Sequence, residues 1–216
     1  MIRMAVVAAA LAAGLMLAGC TQSVVLFNGQ NLNGWTTYVQ DETVDPAAIW
    51  SVRDGVLRCE GQPFGYIRTV ESYSNYVLEL EWRWPEEPTN SGVLLHAVGP
   101  DKIWPQCIEA QLRHERAGDI VTIQPGSTVT VNCVRYQPEG DSIFNRAPRP
   151  QSSSEYEPGR WNHYKIVCRG EQLDIYVNGV HQNSATDVWP SAGAIGLQSE
   201  GSPIEFRNIQ LRRLEP

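Results

Sequence analysis

The sequence predicts an all-β protein with the architecture of a two-sheet antiparallel sandwich, or jelly roll. Short runs in which apolar and polar residues alternate follow one another, and residues typical of turns (Gly, Pro, Asn and Asp) separate them. After the N-terminal segment, no run has the spacing of a long amphipathic helix. About ten short strands within roughly 200 residues are typical of two packed sheets. Residues 137–159, rich in Pro, Ser and charge, predict a long surface loop.

The individual strands follow from this alternation and from the turns between them. Residues 76–84 alternate most regularly, because an aromatic or leucine side chain occupies every even-numbered position. The dipeptides Asp54-Gly55 and Asn178-Gly179 predict hairpin turns. The remaining predicted strands are residues 52–59, 92–98, 106–112, 120–123, 128–134, 161–169, 172–177, 194–198 and 204–212.

The N-terminal segment predicts a lipoprotein leader. Arg3 precedes an apolar run at residues 5–17, which is typical of a secretory signal and short for a membrane span. The sequence Leu-Ala-Gly-Cys that ends at Cys20 resembles a bacterial lipobox, in which the cysteine is lipidated and becomes the new N-terminus. The alternative is a plain signal peptide with a chance cysteine.

The leader divides the chain into three predicted parts. Residues 1–19 form the signal peptide, residues 20–25 a lipidated tether, and residues 26–216 the β-sandwich domain. Thr21 is not the Asp that would favour retention in the inner membrane. The predicted location is therefore the bacterial cell envelope, with the protein lipid-anchored in the outer membrane and facing the periplasm.

The charge of the chain excludes two classes of partner. Removal of the leader takes away Arg3 and no acidic residue, so that the net charge changes from −7 to −8. This balance argues against nucleic acid and against an anionic membrane surface as direct partners. The membrane is expected as a partner through the lipid anchor alone.

Four cysteines besides Cys20 remain, and none shows the CxxC spacing of a zinc cluster. An oxidising envelope permits disulfides. Cys107 and Cys133 fall on neighbouring predicted strands and could pair. Four free, half-buried thiols are the alternative, the other two being Cys59 and Cys168.

The predicted strand at residues 106–112 carries the most informative face of the chain. Its side chains alternate, so that one face is apolar while Cys107, Glu109 and Gln111 point the other way. Lys102 and Trp104 lie just upstream. A carboxylate beside an amide, with an indole wall, suits the hydroxyl and C–H groups of a sugar. The alternative is an ordinary solvated strand face.

An ordered set of short blocks resembles the 3-keto-disaccharide hydrolase family over roughly residues 24–214. The blocks are Leu26-Phe27-Asn28-Gly29, Leu32-Asn33-Gly34-Trp35, residues 50–57, 64–69 and 76–82, Asn90-Ser91-Gly92-Val93, Glu109-Ala110-Gln111-Leu112, Gly118-Asp119, Gly159-Arg160-Trp161-Asn162, Val177-Asn178-Gly179, residues 193–198 and Phe206-Arg207-Asn208-Ile209. The resemblance implies a concanavalin A-like sandwich that binds a saccharide on its concave sheet.

The resemblance also implies cleavage of glycosides that carry a ketone at C3 of the sugar. The ketone acidifies the C2 hydrogen, so that a base can remove it and the enolate can expel the C1 substituent before water adds. This route needs a base near C2, an electrophile at O3 and an acid for the leaving group. Ordinary glycosidases place two carboxylates across C1 instead. A non-catalytic carbohydrate-binding lipoprotein with the same groove is the alternative.

Three residues are the candidate acid and base groups. Glu109 matches the family's Glu-x-Gln block, and Glu200 shares a predicted face with Gln198. His96 follows the Asn-Ser-Gly block and is expected on the same face as Gly92. Some relatives carry His where Glu200 stands and Arg where His96 stands, which leaves the identity of the base open. A lone histidine on a strand is more often structural.

The candidate substrate-binding residues are Arg68, Asn90, Lys102, Trp104, Gln111 and Gln198. Arg68 could polarise a carbonyl or pair with a carboxylate, and Asn90 could shape a turn or contact the ligand. Lys102 and Trp104 are expected at the rim of the pocket. The sequence indicates no required cofactor, although His96 with Glu109 or Glu200 could hold a divalent metal ion.

Overall fold

Two antiparallel β-sheets pack face to face in the computed structural model, which describes residues 23–215. The predicted all-β sandwich is confirmed, since the described residues form strands, turns and one short 3-10 helix, Pro46–Ala48. No helix within residues 23–215 is long and apolar enough to cross a membrane. The predicted leader and the predicted lipidation site at Cys20 lie outside the described residues.

Seventeen strands form the two sheets within the described residues. They are β1 (Ser23–Val25), β2 (Trp35–Val39), β3 (Trp50–Arg53), β4 (Val56–Cys59), β5 (Gly65–Thr69), β6 (Tyr76–Arg83), β7 (Gly92–Val98), β8 (Gln106–Gln111), β9 (Ile120–Ile123), β10 (Thr128–Val131), β11 (Val134–Tyr136), β12 (Phe144–Ala147), β13 (Asn162–Arg169), β14 (Gln172–Val177), β15 (Val180–Trp189), β16 (Ala194–Ser199) and β17 (Ile204–Arg213).

The two sheets differ in size. The ten-stranded sheet has the order β11-β10-β15-β14-β13-β6-β17-β4-β3, with β1 paired to β17 beside this path. The seven-stranded sheet has the order β12-β9-β8-β7-β16-β5-β2. Its central strands are β8, β7 and β16, which contain four of the residues that the sequence singled out: His96, Glu109, Gln111 and Gln198.

Alternation in β6 supplies much of the core. Its even-numbered residues, from Tyr76 to Trp82, are buried between the sheets, whereas Glu79, Glu81 and Arg83 are half-buried on the outer face. The predicted alternation of this strand is therefore confirmed. Successive side chains of a strand point to opposite faces, so one set is buried and the other is outside when one face of the sheet packs against another sheet.

A buried tyrosine links the two sheets by hydrogen bonds. Tyr164 of β13 donates its hydroxyl hydrogen to the carbonyl oxygen of Gln111 at 2.9 Å and accepts the backbone N–H of Gly118 at 2.9 Å. Its ring packs against Trp82, with 5.0 Å between the ring centroids. This contact fixes the end of β8 and the start of the β8–β9 connection against the ten-stranded sheet.

Several strands differ from the prediction. Strand β12 lies inside the region predicted as a loop and pairs with β9 at the edge of the seven-stranded sheet. The predicted strand at residues 128–134 is divided into β10 and β11 by a turn in which Asn132 and Cys133 have positive φ. Strand β15 was not predicted, because polar residues and a bulge near Asp187 interrupt its alternation.

The suggested Cys107–Cys133 disulfide is wrong. Cys107 is buried on β8 of the seven-stranded sheet, while Cys133 is exposed in the turn at the far edge of the ten-stranded sheet. The four cysteines of the described chain are free thiols.

A bulge in β7 reverses the direction of His96. The pairing of β7 with β8 shifts between Leu95 and Val98, and His96 has a φ of 56°. The extra residue turns the imidazole into the core, away from the face that holds Gly92 and Leu94. The expectation that His96 shares the face of Gly92 is therefore wrong.

The core position keeps His96 neutral. Its Nδ1 lies 3.0 Å from the carbonyl oxygen of Pro190, which can only accept, so Nδ1 carries the hydrogen. Nε2 therefore accepts from the hydroxyl of Tyr76 at 3.1 Å. Burial lowers the pKa of His96 from 6.5 to about 4, and the Pro190 hydrogen bond opposes this only in part.

We expect His96 to make folding stability depend on pH. In the unfolded chain it gains a proton near pH 6.5, whereas in the fold it stays neutral down to about pH 4. Its contribution is complete above pH 6.5 and falls by about 3 kcal/mol as the pH drops to 4. Urea unfolding of the wild type and of His96→Asn, which tolerates positive φ, measures this. The stability difference between the two proteins should shrink at acidic pH; parallel pH curves would contradict the assignment.

Candidate functional site

The face of β8 that carries Glu109 is buried on the outer side of the seven-stranded sheet. Ile108 and Ala110 point into the main core, and Cys107, Glu109 and Gln111 point the other way, as the alternation predicts. Glu109 is nevertheless only 3% exposed. The alternative of an ordinary solvated strand face is therefore wrong.

The cover over this face is the connection between β7 and β8, residues 99–105. Asp101 in this loop accepts hydrogen bonds from Nε and a terminal nitrogen of Arg68, each at 2.8 Å, and from the hydroxyl of Tyr66 at 2.8 Å. Arg68 and Tyr66 lie on one face of β5. The Arg68 hydrogen bonds lower the pKa of Asp101. This bidentate pair holds the loop on the sheet.

Trp104 completes the cover from the same loop. Its indole ring lies 6.0 Å from the ring of Phe64, which precedes β5, and 5.4 Å from that of Phe144 on β12. Its carbonyl oxygen accepts a hydrogen bond from the side chain of Gln124 at 2.9 Å. Because β5 and β12 lie on opposite sides of the sheet centre, the half-buried indole extends across the face. Lys102 is exposed on the same loop.

A glycine makes room for the carboxyl group of Glu109. Gly92 of β7 pairs with Gln111 of β8, and the Glu109 side chain lies across its α-carbon. A β-carbon at Gly92 would come within 2.7 Å of the carboxyl carbon of Glu109. The Glu109 carboxyl group therefore points from β8 across β7 towards β16, where Gln198 lies beside Gly92.

Three buried side-chain oxygens near this point have no hydrogen-bond partner in the protein. They belong to Glu109 (Oε1), Gln198 (Oε1) and Asn90 (Oδ1). Buried polar atoms without partners are uncommon because each costs free energy, and a group of them indicates a place that a polar ligand fills. Gln111 differs, because its oxygen already accepts the backbone N–H groups of Leu112 and Arg113.

Glu109 and Glu200 form a pair in unlike environments. Burial raises the pKa of Glu109 well above its usual range, and the charge of Glu200 raises it further. Burial also raises the pKa of Glu200, but the Asn90 amide and the Arg113 charge oppose that rise. Glu200 is the more exposed of the two. The less exposed carboxyl group therefore retains its proton more strongly.

The structure brings together most, but not all, of the residues singled out by the sequence. Glu109, Glu200, Asn90 and Gln198 form one group, while Arg68 is bound to Asp101 in the loop that follows the other end of β7. His96 lies on the opposite side of the sheet. Within residues 23–215 there is no group of three His, Cys, Asp or Glu side chains placed to hold a metal ion. The pairing suggested between His96 and Glu109 as metal ligands conflicts with the bulge in β7.

Three residues of the site were not identified from the sequence. Tyr66 lies two residues before Arg68, so alternation could have placed both on one face. Gly92 was noted as part of a block, without its role as an opening for Glu109. Asp101 gave no local signal, because its partner Arg68 is 33 residues away in the chain.

Two cavities on the sheets have linings that include neither Glu109 nor Glu200. One of about 290 Å³ adjoins the covering loop and is lined by Arg68, Asp101, Ala97 and Ala194 among others. A larger open cavity of about 490 Å³ lies on the ten-stranded sheet. None of the unpartnered buried atoms of the described chain belongs to the residues that line either cavity. The candidate site at the carboxyl pair therefore rests on its unpartnered oxygens and on the unlike environments of its two carboxyl groups.

Comparison with known structures agrees with this architecture. Two crystal structures of candidate glycosyl hydrolases from Parabacteroides distasonis are similar. One has a TM-score of 0.65 at 22% identity, covering 89% of this chain and 94% of that one. The other has 0.63 at 27% identity, covering 89% and 100%. A Bacillus licheniformis β-glucanase shares the fold, with a TM-score of 0.55 at 14% identity over 92% of this chain and 100% of that one.

Sequence comparison identifies the family. A 3-keto-disaccharide hydrolase of Bacteroides thetaiotaomicron is 24% identical over 239 aligned positions, which cover 89% of this chain and 78% of that protein. The family profile matches residues 22–212, nearly the whole part of the chain that the structure describes. The chain therefore belongs to the family of 3-keto-alpha-glucoside-1,2-lyase-like domains.

Proposed function

We propose that this protein cleaves glycosides whose sugar carries a ketone at C3, by removal of the C2 proton and elimination of the C1 substituent. Family membership supports a carbohydrate substrate and glycoside cleavage. The observation that carries the mechanism is the pair Glu109 and Glu200, two carboxyl groups in unlike environments beside unpartnered amide oxygens.

The proposed reaction uses one carboxylate and one carboxylic acid. The Glu200 carboxylate takes the proton from C2, and the electron pair of that bond forms an enolate with the C3 ketone. The ketone re-forms as C1=C2 is made and the C1–O bond breaks, and the departing oxygen takes the proton of Glu109. Water then adds across C1=C2 and yields the free 3-keto sugar. Groups whose pKa values differ through their environments suit such acid and base roles.

The sequence left the identity of the base open among Glu109, His96 and Glu200, and the proposal assigns that role to Glu200. A general base must be ionised, and burial disfavours ionisation of Glu109 more than that of Glu200. The side-chain amides of Asn90 and Gln198 are the proposed partners of the sugar oxygens, because each has an unpartnered buried oxygen. The proposed route requires no cofactor.

We also propose that the protein is a lipoprotein of the bacterial cell envelope. The Leu-Ala-Gly-Cys sequence at Cys20 supports lipidation, and Thr21 supports the outer membrane facing the periplasm. In this arrangement the folded domain, which begins with β1 at Ser23, acts as the catalytic domain on a short lipidated tether.

The first prediction concerns the ketone. Purified protein should release the aglycone from a 3-keto-glucoside far faster than from the unoxidised parent, because only the ketone acidifies the C2 hydrogen. Released aglycone and C2 deuterium exchange are measured for both compounds. Equal rates, or cleavage of the parent alone, would indicate a carboxylate-pair glycosidase. Binding of both sugars without cleavage of either would indicate a carbohydrate-binding protein.

The second prediction separates the acid from the base. With a poor leaving group such as an alkoxide, Glu109→Gln should slow cleavage by about 10²–10⁴-fold, because nothing protonates the departing oxygen. With a nitrophenolate leaving group, which needs no proton, the same variant should keep most of its rate. Glu200→Gln should be slow with both substrates, since C2 deprotonation is needed in each case.

The matched control is Glu79→Gln, which changes a half-buried carboxylate on the ten-stranded sheet. It should cleave both substrates at the wild-type rate. If instead Glu200→Gln were rescued by the good leaving group and Glu109→Gln were not, the roles of the two residues would be reversed. Normal rates in both variants would remove the carboxyl pair from the mechanism.

The third prediction concerns the anchor. In cells, the wild type should partition with membranes, and Cys20→Ala should move to the soluble envelope fraction because the lipidated side chain is lost. Fractionation followed by immunoblotting measures this. A Cys20→Ala protein that stays with the membranes to the wild-type extent would contradict lipidation at this residue.

A further inference from the structure

An exposed apolar patch surrounds the first described strand. Val25 on β1 is 67% exposed, and Val70, which follows β5, is 65% exposed. Both line a shallow cavity with the buried ring of Tyr73. The large exposed apolar residues of a monomer are usually scattered, so two at one place indicate a contact surface. We call this surface, made by Val25, Val70 and Tyr73, the β1 patch.

Basic side chains border the β1 patch. Ser23 of β1 pairs with Arg212 of β17, and Arg213 is the next residue. Both arginines are exposed, and the guanidinium of Arg213 lies 5.1 Å from the centre of the Tyr73 ring. Glu71 lies 3.5 Å from Arg213 and neutralises part of this charge. Apolar side chains flanked by arginines suit the boundary between lipid chains and phosphate groups.

The sequence places this patch close to the proposed anchor. Three residue steps separate Cys20 from Ser23, and an extended chain spans at most about 3.6 Å per residue. A lipid on Cys20 therefore holds the start of β1 within about 11 Å of the membrane surface. Such a tether is too short for the domain to turn its β1 edge far from the bilayer.

We propose that the β1 patch lies against the lipid surface, with Val25 and Val70 in the interface and Arg212 and Arg213 near lipid phosphates. The proposal rests on the proposed anchoring at Cys20 and adds a fixed orientation to it. The negative charge of the whole domain disfavours an anionic surface in general, but Arg212 and Arg213 place positive charge at the edge that the tether reaches.

The orientation has a consequence for the candidate site. Tyr66 of β5 pairs with Gln198, and Val70 is four residues further along the same strand direction. At about 3.3 Å per residue, Gln198 lies roughly 13 Å from the level of Val70. The carboxyl pair is also nearer the centre of the sheet than β5. The proposed lipid contact at the β1 patch therefore does not include the carboxyl pair.

The experiment uses fluorescent labels and the lipidated full-length protein. Cys133 is an exposed native thiol at the far edge of the ten-stranded sheet, and the other described thiols are buried. The wild type is labelled at Cys133 with an environment-sensitive fluorophore. The test protein carries Val70→Cys with Cys133→Ser. Both are reconstituted in phosphatidylethanolamine–phosphatidylglycerol vesicles that contain nitroxide lipids near the headgroup.

The label at position 70 should be quenched at least about three-fold more strongly than the label at Cys133, and its emission should shift to the blue. Arg212→Glu with Arg213→Glu should reduce that quenching while the protein still floats with the vesicles. Equal quenching at both positions in floating protein would overturn the orientation and leave the anchor intact. Protein that does not float would overturn the anchor and the orientation together.

A second copy of the chain is the other possible occupant of the β1 patch. The anchor-free Cys20→Ala protein carrying the position 70 label distinguishes it. Emission independent of protein concentration supports the lipid contact. A concentration-dependent blue shift with dimerisation in ultracentrifugation would overturn the proposal, because the patch would then be covered by protein.

Discussion

The outer face of the seven-stranded sheet depends on the contact between Asp101 and the pair formed by Arg68 and Tyr66. These hydrogen bonds hold residues 99–105 on the outer face of the seven-stranded sheet, which would otherwise be open to water. Glu109 is buried on this face, and the loss of solvation is the main reason that its pKa is raised. Oε1 of Glu109 also has no hydrogen-bond partner in the protein.

The direction of each strand residue could be predicted from the sequence more easily than its burial. Alternation correctly placed Glu109 and Gln111 on the face away from the core, because side-chain direction in a strand is a local property. Whether that face meets water depends on residues 99–105 and on the Trp104 contacts to Phe64 and Phe144. Those contacts join segments that are distant in sequence, and no local pattern encodes them.

His96 shows where alternation itself fails. One extra residue in β7 changes the face of every position that follows, so a bulge converts a correct pattern into a wrong direction. A histidine does not by itself predict a positive φ at position 96. The Asp54-Gly55 and Asn178-Gly179 turns, in contrast, could be predicted from their residue types. The reversal has a chemical effect. The imidazole of His96 is buried in the core and neutral, and the carboxyl pair has no histidine from β7 beside it.

The Asn-Ser-Gly block illustrates how consecutive residues can serve separate purposes at one site. The Asn90 amide lies beside Glu200 and opposes the rise of its pKa. The Ser91 side chain points to the core side and donates a hydrogen bond to the carbonyl oxygen of Gln198 at 2.8 Å, which fixes β7 against β16. Gly92 lacks the β-carbon that would displace Glu109. A substitution of Asn90 would therefore change the charge of the carboxyl pair, and one of Ser91 would weaken the strand pairing that supports it. A substitution of Gly92 would displace the Glu109 side chain.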